Sequence, residues 1–153
     1  MTFVKPWWQA IIWPMEKSTN LRRGRTCIFS MHVHLVFVTK FRRKVFTKKI
    51  LHDLKEVFVN VCKDFEAELV EFEGEYDHVH LLVNHHPKIA ISKLVNSLKG
   101  VSSRLIQKKN YSSIQKALWG KNLWSPSYFA STCGGAPLDI LKEYIQSQSP
   151  PKS

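Results

Sequence analysis

Two short runs place histidines where their side chains could meet. One is His32-Val33-His34 within MHVHLVFV, residues 31–38, and the other is His78-Val79-His80 within EYDHVHLLV, residues 75–83. A β-strand alternates its side chains between two faces, so each pair would aim both imidazoles to one side and the intervening valine to the other. Neutral imidazole is a common metal ligand, and two on one face can share an ion. The same spacing equally suits the polar outer face of a half-buried strand. A third group lies near the C-terminus: Ile140, Tyr144 and Gln148 fall at i, i+4 and i+8, beside an apolar stripe of Leu138, Leu141 and Ile145. On a helix that spacing gives a phenol and an amide one shared face. A tyrosine at a helix edge commonly packs its ring and leaves its hydroxyl in water.

Such groups need a folded scaffold, and the composition supplies one. At 153 residues, with 44% hydrophobic and 12% aromatic content, the chain can bury the core of a single domain and is not disordered. The formal net charge is +11, unevenly spread. Acids crowd one stretch (Asp64, Glu66, Glu68, Glu71, Glu73, Glu75, Asp77) that contains no Lys or Arg, so basic residues dominate the remainder. A field of that sign draws polyanions. Cys27, Cys62 and Cys133 are odd in number and widely spaced, with no CxxC, which supports neither a disulfide framework nor a zinc ribbon and favours a reducing, cytosolic location. Residues 1–14, MTFVKPWWQAIIWP, are bracketed by Pro6 and Pro14, lack a cleavage pattern and are too short to span a membrane. Residues 1–20 are therefore expected to be an extension outside the fold, arising upstream or from a wrongly chosen start, with one domain over 21–149 and a tail at 150–153.

Periodicity predicts a strand over Ile28–Thr39, then a helix capped by Thr47 with the stripe Ile50, Leu51, Leu54, Val57, Phe58, Val61, Cys62 and Phe65. Leu69–Phe72 and Tyr76–Asn84 read as a hairpin broken at Gly74, and a second helix covers about Ile89–Lys108. The signal is weak from Asn110 to Asn122. A last strand lies within Leu123–Thr132, entered after Pro126; CGGAP is a turn, and a closing helix runs Leu138–Gln148. The order β-α-β-β-α-β-α implies an α+β fold: a ferredoxin-like or RRM-like antiparallel sheet with helices on one face, plus a C-terminal helix bearing the tyrosine.

With these elements in place, DHVHLLV (residues 77–83), SLKGVSSRLI (97–106), LWSPSYFAST (123–132) and YIQSQ (144–148) resemble the single-tyrosine HUH transposases, which move bacterial insertion sequences as single-stranded DNA. HLVFVTKFRRKVF, residues 34–46, is similar to the family's first strand and the turn after it. The likeness spans roughly 21–148 in family order and includes the REP-associated tyrosine transposases.

The resemblance implies a metal-dependent single-strand endonuclease and strand transferase acting through a 5′-phosphotyrosine. His78, His80 and Gln148 would be the ligands of Mg²⁺ or Mn²⁺, and Tyr144 the nucleophile. His32 and His34, on a strand without a catalytic pair in the family, are then expected to be surface or core-edge histidines. The resemblance also implies hairpin-bearing single-stranded DNA as partner, a homodimer whose subunits share their active sites, and a cytoplasmic, nucleoid-associated location. Candidate backbone contacts are Lys40, Arg42, Arg43, Lys44, Lys99 and Arg104. Trp119, Trp124, Tyr128 and Phe129 could stack bases or serve as core or interface. Asp77 could support a histidine ligand, and the acidic stretch could protect an exposed strand. The alternative function is a domesticated or inactive member that binds hairpin DNA or RNA without cutting it.

Overall fold

The computed structural model describes residues 22–24, 27–118, 122–132, 143 and 145–146. The chain divides into two units at Ser30 and Met31. In the first, β1 (Arg22–Arg23) pairs antiparallel with β2 (Ile28–Phe29), and the Arg22 guanidinium lies over the Phe29 ring. The second unit holds β3 (His32–Val38), so the single strand expected over Ile28–Thr39 is in fact two. The break comes where the Met31 carbonyl accepts from His85 N–H at 2.9 Å.

Helix α1 (Lys48–Asp64) begins as its sequence requires: Thr47 is extended and its hydroxyl oxygen accepts from Ile50 N–H at 3.3 Å, satisfying one otherwise orphaned donor. Its buried stripe is Ile50, Leu54, Phe58, Val61 and Cys62. Strand β4 (Glu68–Gly74) outruns the expected Leu69–Phe72, and its register shifts between Leu69 and Glu71. That bulge lets Leu69 and Phe72, three apart, lie opposite Val83 and Leu81 on the same face. At the strand's end, a Cβ on Gly74 would meet Leu51 Cδ2 at 2.3 Å, so a larger residue there would require the Leu51 side chain to shift.

Strand β5 (His78–Asn84) is followed by α2 (Ile91–Lys108). This helix starts two residues later than its apolar pattern predicts, because the Ile89 N–H closes a turn on the His86 carbonyl. The weakly patterned segment beyond it contains a short helix, α3 (Ser112–Leu118), which buries Ile114 and Leu118. The last strand, β6 (Phe129–Thr132), is shorter than expected, and Trp124 before it makes only an isolated bridge to Thr39.

The sheet order is β4-β5-β3-β6, antiparallel throughout, which is the expected ferredoxin-like α+β arrangement. Val33, Leu35 and Phe37 of β3 and Val79, Leu81 and Val83 of β5 join Ile50, Leu54 and Phe58 of α1 and Leu94, Leu98 and Ile106 of α2 in one core. Because strand residues alternate, His34 and Val36 of β3 and His78, His80 and Leu82 of β5 take the face away from α1 and α2. Among the described residues no helix is long and apolar enough to cross a membrane. The expected extension over 1–20, the CGGAP turn and the 150–153 tail lie outside the described residues. The expected closing helix is described only at Glu143, Ile145 and Gln146, which are helical, with Ile145 buried.

Candidate functional site

The two central strands bring three imidazoles together. In the β3–β5 ladder His80 lies opposite Val36 and His78 opposite Val38, so His34, opposite Leu82, is the diagonal neighbour of His80. His34 Nε2 is 3.0 Å from His80 Nδ1. The ring centroids of His34 and His80 are 5.2 Å apart with the planes nearly parallel. His78 meets His80 edge-on at 5.0 Å, and its own Nδ1 donates to Asp77 Oδ1 at 2.7 Å. His78 and His80 are only 3% and 6% exposed, so these contacts form largely without competition from water.

Of the two placements expected for His34, surface or core-edge, the structure rules out the surface. The side chain is 4% exposed, packed between His80 and the edge of Phe129. His32, on the same face at the far end of the strand, is half-buried. Burial holds the pKa of His34 below the ordinary histidine value. His80 is pushed down to about 4, by burial first and then by the neighbouring His78 and His34. Both are thus neutral at pH 7, the form in which an imidazole nitrogen has a lone pair to offer. For His32, burial lowers the pKa more than nearby Glu68 raises it.

This pattern fits a divalent ion. A ligating histidine binds through one ring nitrogen and donates from the other. Here His78 and His80 each have Nδ1 engaged by another side chain, Asp77 and His34; donation to Asp77 leaves His78 Nε2 for a ligand, and donation from His80 to His34 would leave His80 Nε2 as well. Among the described residues no group of three or more His, Cys, Asp or Glu could hold an ion by itself, so further donors are needed. Tyr144 and Gln148 lie outside the described residues.

Beside the histidines, β3 runs into a basic turn. Thr39 is buried and its hydroxyl donates to the Arg43 carbonyl at 2.8 Å, while the backbone N–H groups of Thr39, Val45 and Phe46 bond to the carbonyls of Asp77 and Tyr76. Phe41 and Arg42 take positive φ angles of 60° and 52°, a strained conformation for such residues that persists because its flanks are tied down. Arg42 reaches back to Asp77 at 3.5 Å, so one carboxylate serves both the turn and His78. Arg42, Arg43 and Lys44 are exposed, as is Phe41 at 64%, a large apolar ring in a run of cations.

The remaining candidate contacts are placed differently. Lys99 is turned to its own fold: its ammonium donates to the carbonyls of Ser125 at 2.6 Å and of Pro126 and Ser127 at 3.3 Å, and burial lowers its pKa. With Lys40, Ser103 and Asn122 it lines a cleft of about 240 Å³. Arg104 is exposed on α2. Trp124 is core, 3% exposed, whereas Tyr128 and Phe129 are exposed; Trp119 lies outside the described residues. Of the acidic stretch, Glu68, Glu71 and Glu73 lie on the edge strand β4, where Glu73 is opposite His80 and its carboxyl pKa is raised by partial burial and by Glu71 and Glu75. Burial also pushes the Cys62 thiol up to about 12, which leaves it unreactive.

Fold and site together define an α+β domain with a histidine pair set on the sheet face away from its two long helices. Residues 27–148 match the family described as IS200-like transposases. The ISDra2 transposase TnpA of Deinococcus radiodurans is 32% identical over 138 residues, covering 90% of this chain and 95% of that protein. The IS200 transposase of Salmonella typhimurium is 26% identical over 115 residues, 75% of this chain and 74% of that one. A crystal structure described as that of a transposase from Deinococcus radiodurans R1 superposes with a TM-score of 0.66 at 31% identity, covering 83% of this chain and 97% of that one. A REP-associated tyrosine transposase bound to a REP hairpin shares the fold, with a TM-score of 0.52 at 14% identity over 81% of this chain and 67% of that one. The chain belongs to the IS200-like transposase family.

Proposed function

We propose that this transposase cleaves and rejoins single-stranded DNA at insertion-sequence ends through a covalent bond to Tyr144, at a site where His78, His80 and Gln148 hold Mg²⁺ or Mn²⁺. The observation that carries the reading is the pair of imidazoles buried on one sheet face, each with its Nδ1 engaged by a neighbouring side chain, so that each Nε2 can serve a ligand when the Nδ1 carries the proton. Nitrogen donors favour Mn²⁺ over Mg²⁺. When bound, the ion supplies Lewis-acid polarisation of the scissile phosphate and favours the phenolate of a tyrosine whose ordinary pKa is about 10.

The residues then divide the work. Tyr144 Oη, having given up its proton, attacks phosphorus in line, the bond from phosphorus to O3′ breaks, and the upstream fragment leaves with a 3′-hydroxyl protonated from solvent while the 5′-phosphate of the downstream fragment stays on the tyrosine. The phosphodiester bond is conserved, so a later 3′-hydroxyl can attack the phosphotyrosine and reseal a strand without ATP. Arg43 and Lys44 are exposed beside the histidines and would neutralise backbone phosphates; Arg42 would share itself between DNA and Asp77. Exposed Phe41, Tyr128 and Phe129 offer rings to unpaired bases, consistent with a hairpin substrate that carries single-stranded flanks. Strand β6, exposed at all four residues on the sheet edge, supports a second copy docking there, in a homodimer that shares tyrosine helices between sites.

Purified protein incubated with hairpin-ended single-stranded DNA and Mn²⁺ should yield a covalent adduct that survives denaturing electrophoresis. EDTA, a fully paired duplex or Tyr144→Phe should each abolish it. An adduct formed by Tyr144→Phe would overturn the nucleophile, and hairpin binding with no adduct under any metal would point to a member that binds without cutting.

A further inference from the structure

We infer that His34 is a positioning residue, which accepts the Nδ1 proton of His80 and thereby holds His80 in the tautomer and ring plane that present its Nε2 to the metal. The inference rests on the reading of His80 as a ligand. A neutral imidazole has one N–H and one lone pair, on opposite sides of the ring. Across the 3.0 Å contact between His80 Nδ1 and His34 Nε2, one nitrogen must donate and the other accept. If His80 donates, its lone pair is on Nε2, and His80 can ligate there. If His34 donates, the proton of neutral His80 is on Nε2, and the ligand position is blocked. The direction of this single hydrogen bond therefore decides whether His80 can serve.

The surroundings make the contact selective. His34 is 4% exposed, so water does not substitute for it as acceptor, and the near-parallel rings leave little freedom to rotate. His78 gets the same service from Asp77 Oδ1 at 2.7 Å, a carboxylate that can only accept. The two ligands are thus held by different chemistry. Asp77 is partly exposed, at 15%, and paired with Arg42, so a charge is tolerated there. At the more enclosed His34 position, a neutral acceptor avoids burying an anion.

The test is protein NMR on the metal-free protein, followed by metal titration. Long-range proton–nitrogen spectra of ¹⁵N-labelled protein in EDTA should show His80 protonated on Nδ1. In His34→Leu, which keeps the bulk and removes the acceptor, His80 should move toward the Nε2-protonated form that free imidazole side chains favour. Mn²⁺ affinity measured by calorimetry should fall about 10- to 100-fold, the usual cost of losing a supporting partner of a metal-bound histidine. In His34→Gln the amide oxygen can accept the same proton, so the tautomer and most of the affinity should return. A wild-type His80 protonated on Nε2 would overturn the proposal, and this readout does not depend on any variant folding. So would a folded His34→Leu with unchanged tautomer and Mn²⁺ affinity. If the wild-type tautomer is as expected but His80→Ala binds Mn²⁺ as tightly as wild type, the ligand reading of His80 fails instead, and the role of His34 fails with it.

Discussion

Trp124 tests whether the aromatic run before β6 is divided between core and DNA as its burial implies. The indole is 3% exposed and packs against Phe37, Phe46 and Phe58 at centroid distances of 5.7, 5.4 and 6.3 Å. Its Nε1 donates to Ser102 Oγ at 2.8 Å, and Ser102 donates onward to the Lys99 carbonyl. Trp124→Phe loses that hydrogen bond, about 1 kcal/mol, and leaves a void where the larger ring stood, about 1–2 kcal/mol more. A total of about 2–3 kcal/mol lowers Tm by roughly 4–12 °C in a domain of this size. Ser102→Ala strands the indole N–H without an acceptor, so the double substitution should cost about 1 kcal/mol less than the sum of the two singles. Thermal melts followed by near-ultraviolet circular dichroism give the stabilities, and fluorescence anisotropy with a labelled hairpin gives the affinity. Unchanged melts together with a tenfold or greater loss of hairpin affinity would refute the core assignment and make the indole a base-stacking group.

Other expectations follow from the same contacts. Arg43→Ala and Lys44→Ala should weaken binding alike for all sequences, and each should reduce the slope of log affinity against log salt by about 0.7 for a single strand, measured by anisotropy from low to moderate salt. Arg42→Ala should also disturb metal binding through Asp77, which an unchanged Mn²⁺ titration would contradict. Asp53, hydrogen-bonded by Tyr111 and paired with Lys109 at 3.0 Å, has its carboxyl pKa lowered by the Tyr111 hydroxyl first and Lys109 next. A group depressed in the folded state stabilises above its unfolded pKa of about 3.9, so the gap between wild type and Asp53→Asn should be full at pH 7 and close as pH falls below about 4; a gap that widens on acidification would contradict the assignment. If sites are shared between subunits, Tyr144→Phe mixed with His80→Ala should regain cleavage that neither has alone, and continued inactivity in demonstrated heterodimers would place the tyrosine in its own subunit's site.

What could be read from sequence was what local spacing controls. Thr47 and the stripe from Ile50 to Cys62 specify α1 and its start without reference to the rest of the chain. The alternation from His78 to Val83 likewise fixes which side chains share a face. Features set by distant partners were not legible. The bulge in β4 follows from pairing with β5, and it turns Leu69-Val70-Glu71-Phe72 into a run whose faces do not alternate. Helix α3 is only one and a half turns deep in buried contacts, Ile114 and Leu118, too few to stand out as a periodic signal. In the stretch from Trp124 to Phe129, composition could not say which ring is core, because that depends on Ser102 and on where β6 begins.

The histidines show the same division most sharply. Both HxH pairs satisfy the same local rule, and the family resemblance singles out the second pair. What relates the pairs is the β3–β5 register, which sets His34 diagonal to His80 and leaves His32 two residues farther along, opposite Asn84. A slip of one residue would turn His34 to the other face of the sheet. The register therefore does more than join two strands. Through Thr39 and the Asp77 carbonyl it also fixes the start of the basic turn, and through Asp77 Oδ1 and Oδ2 it ties His78 to Arg42. One ladder thus sets both the support of the two imidazoles and the position of the cations beside them, without any separate element to align the two.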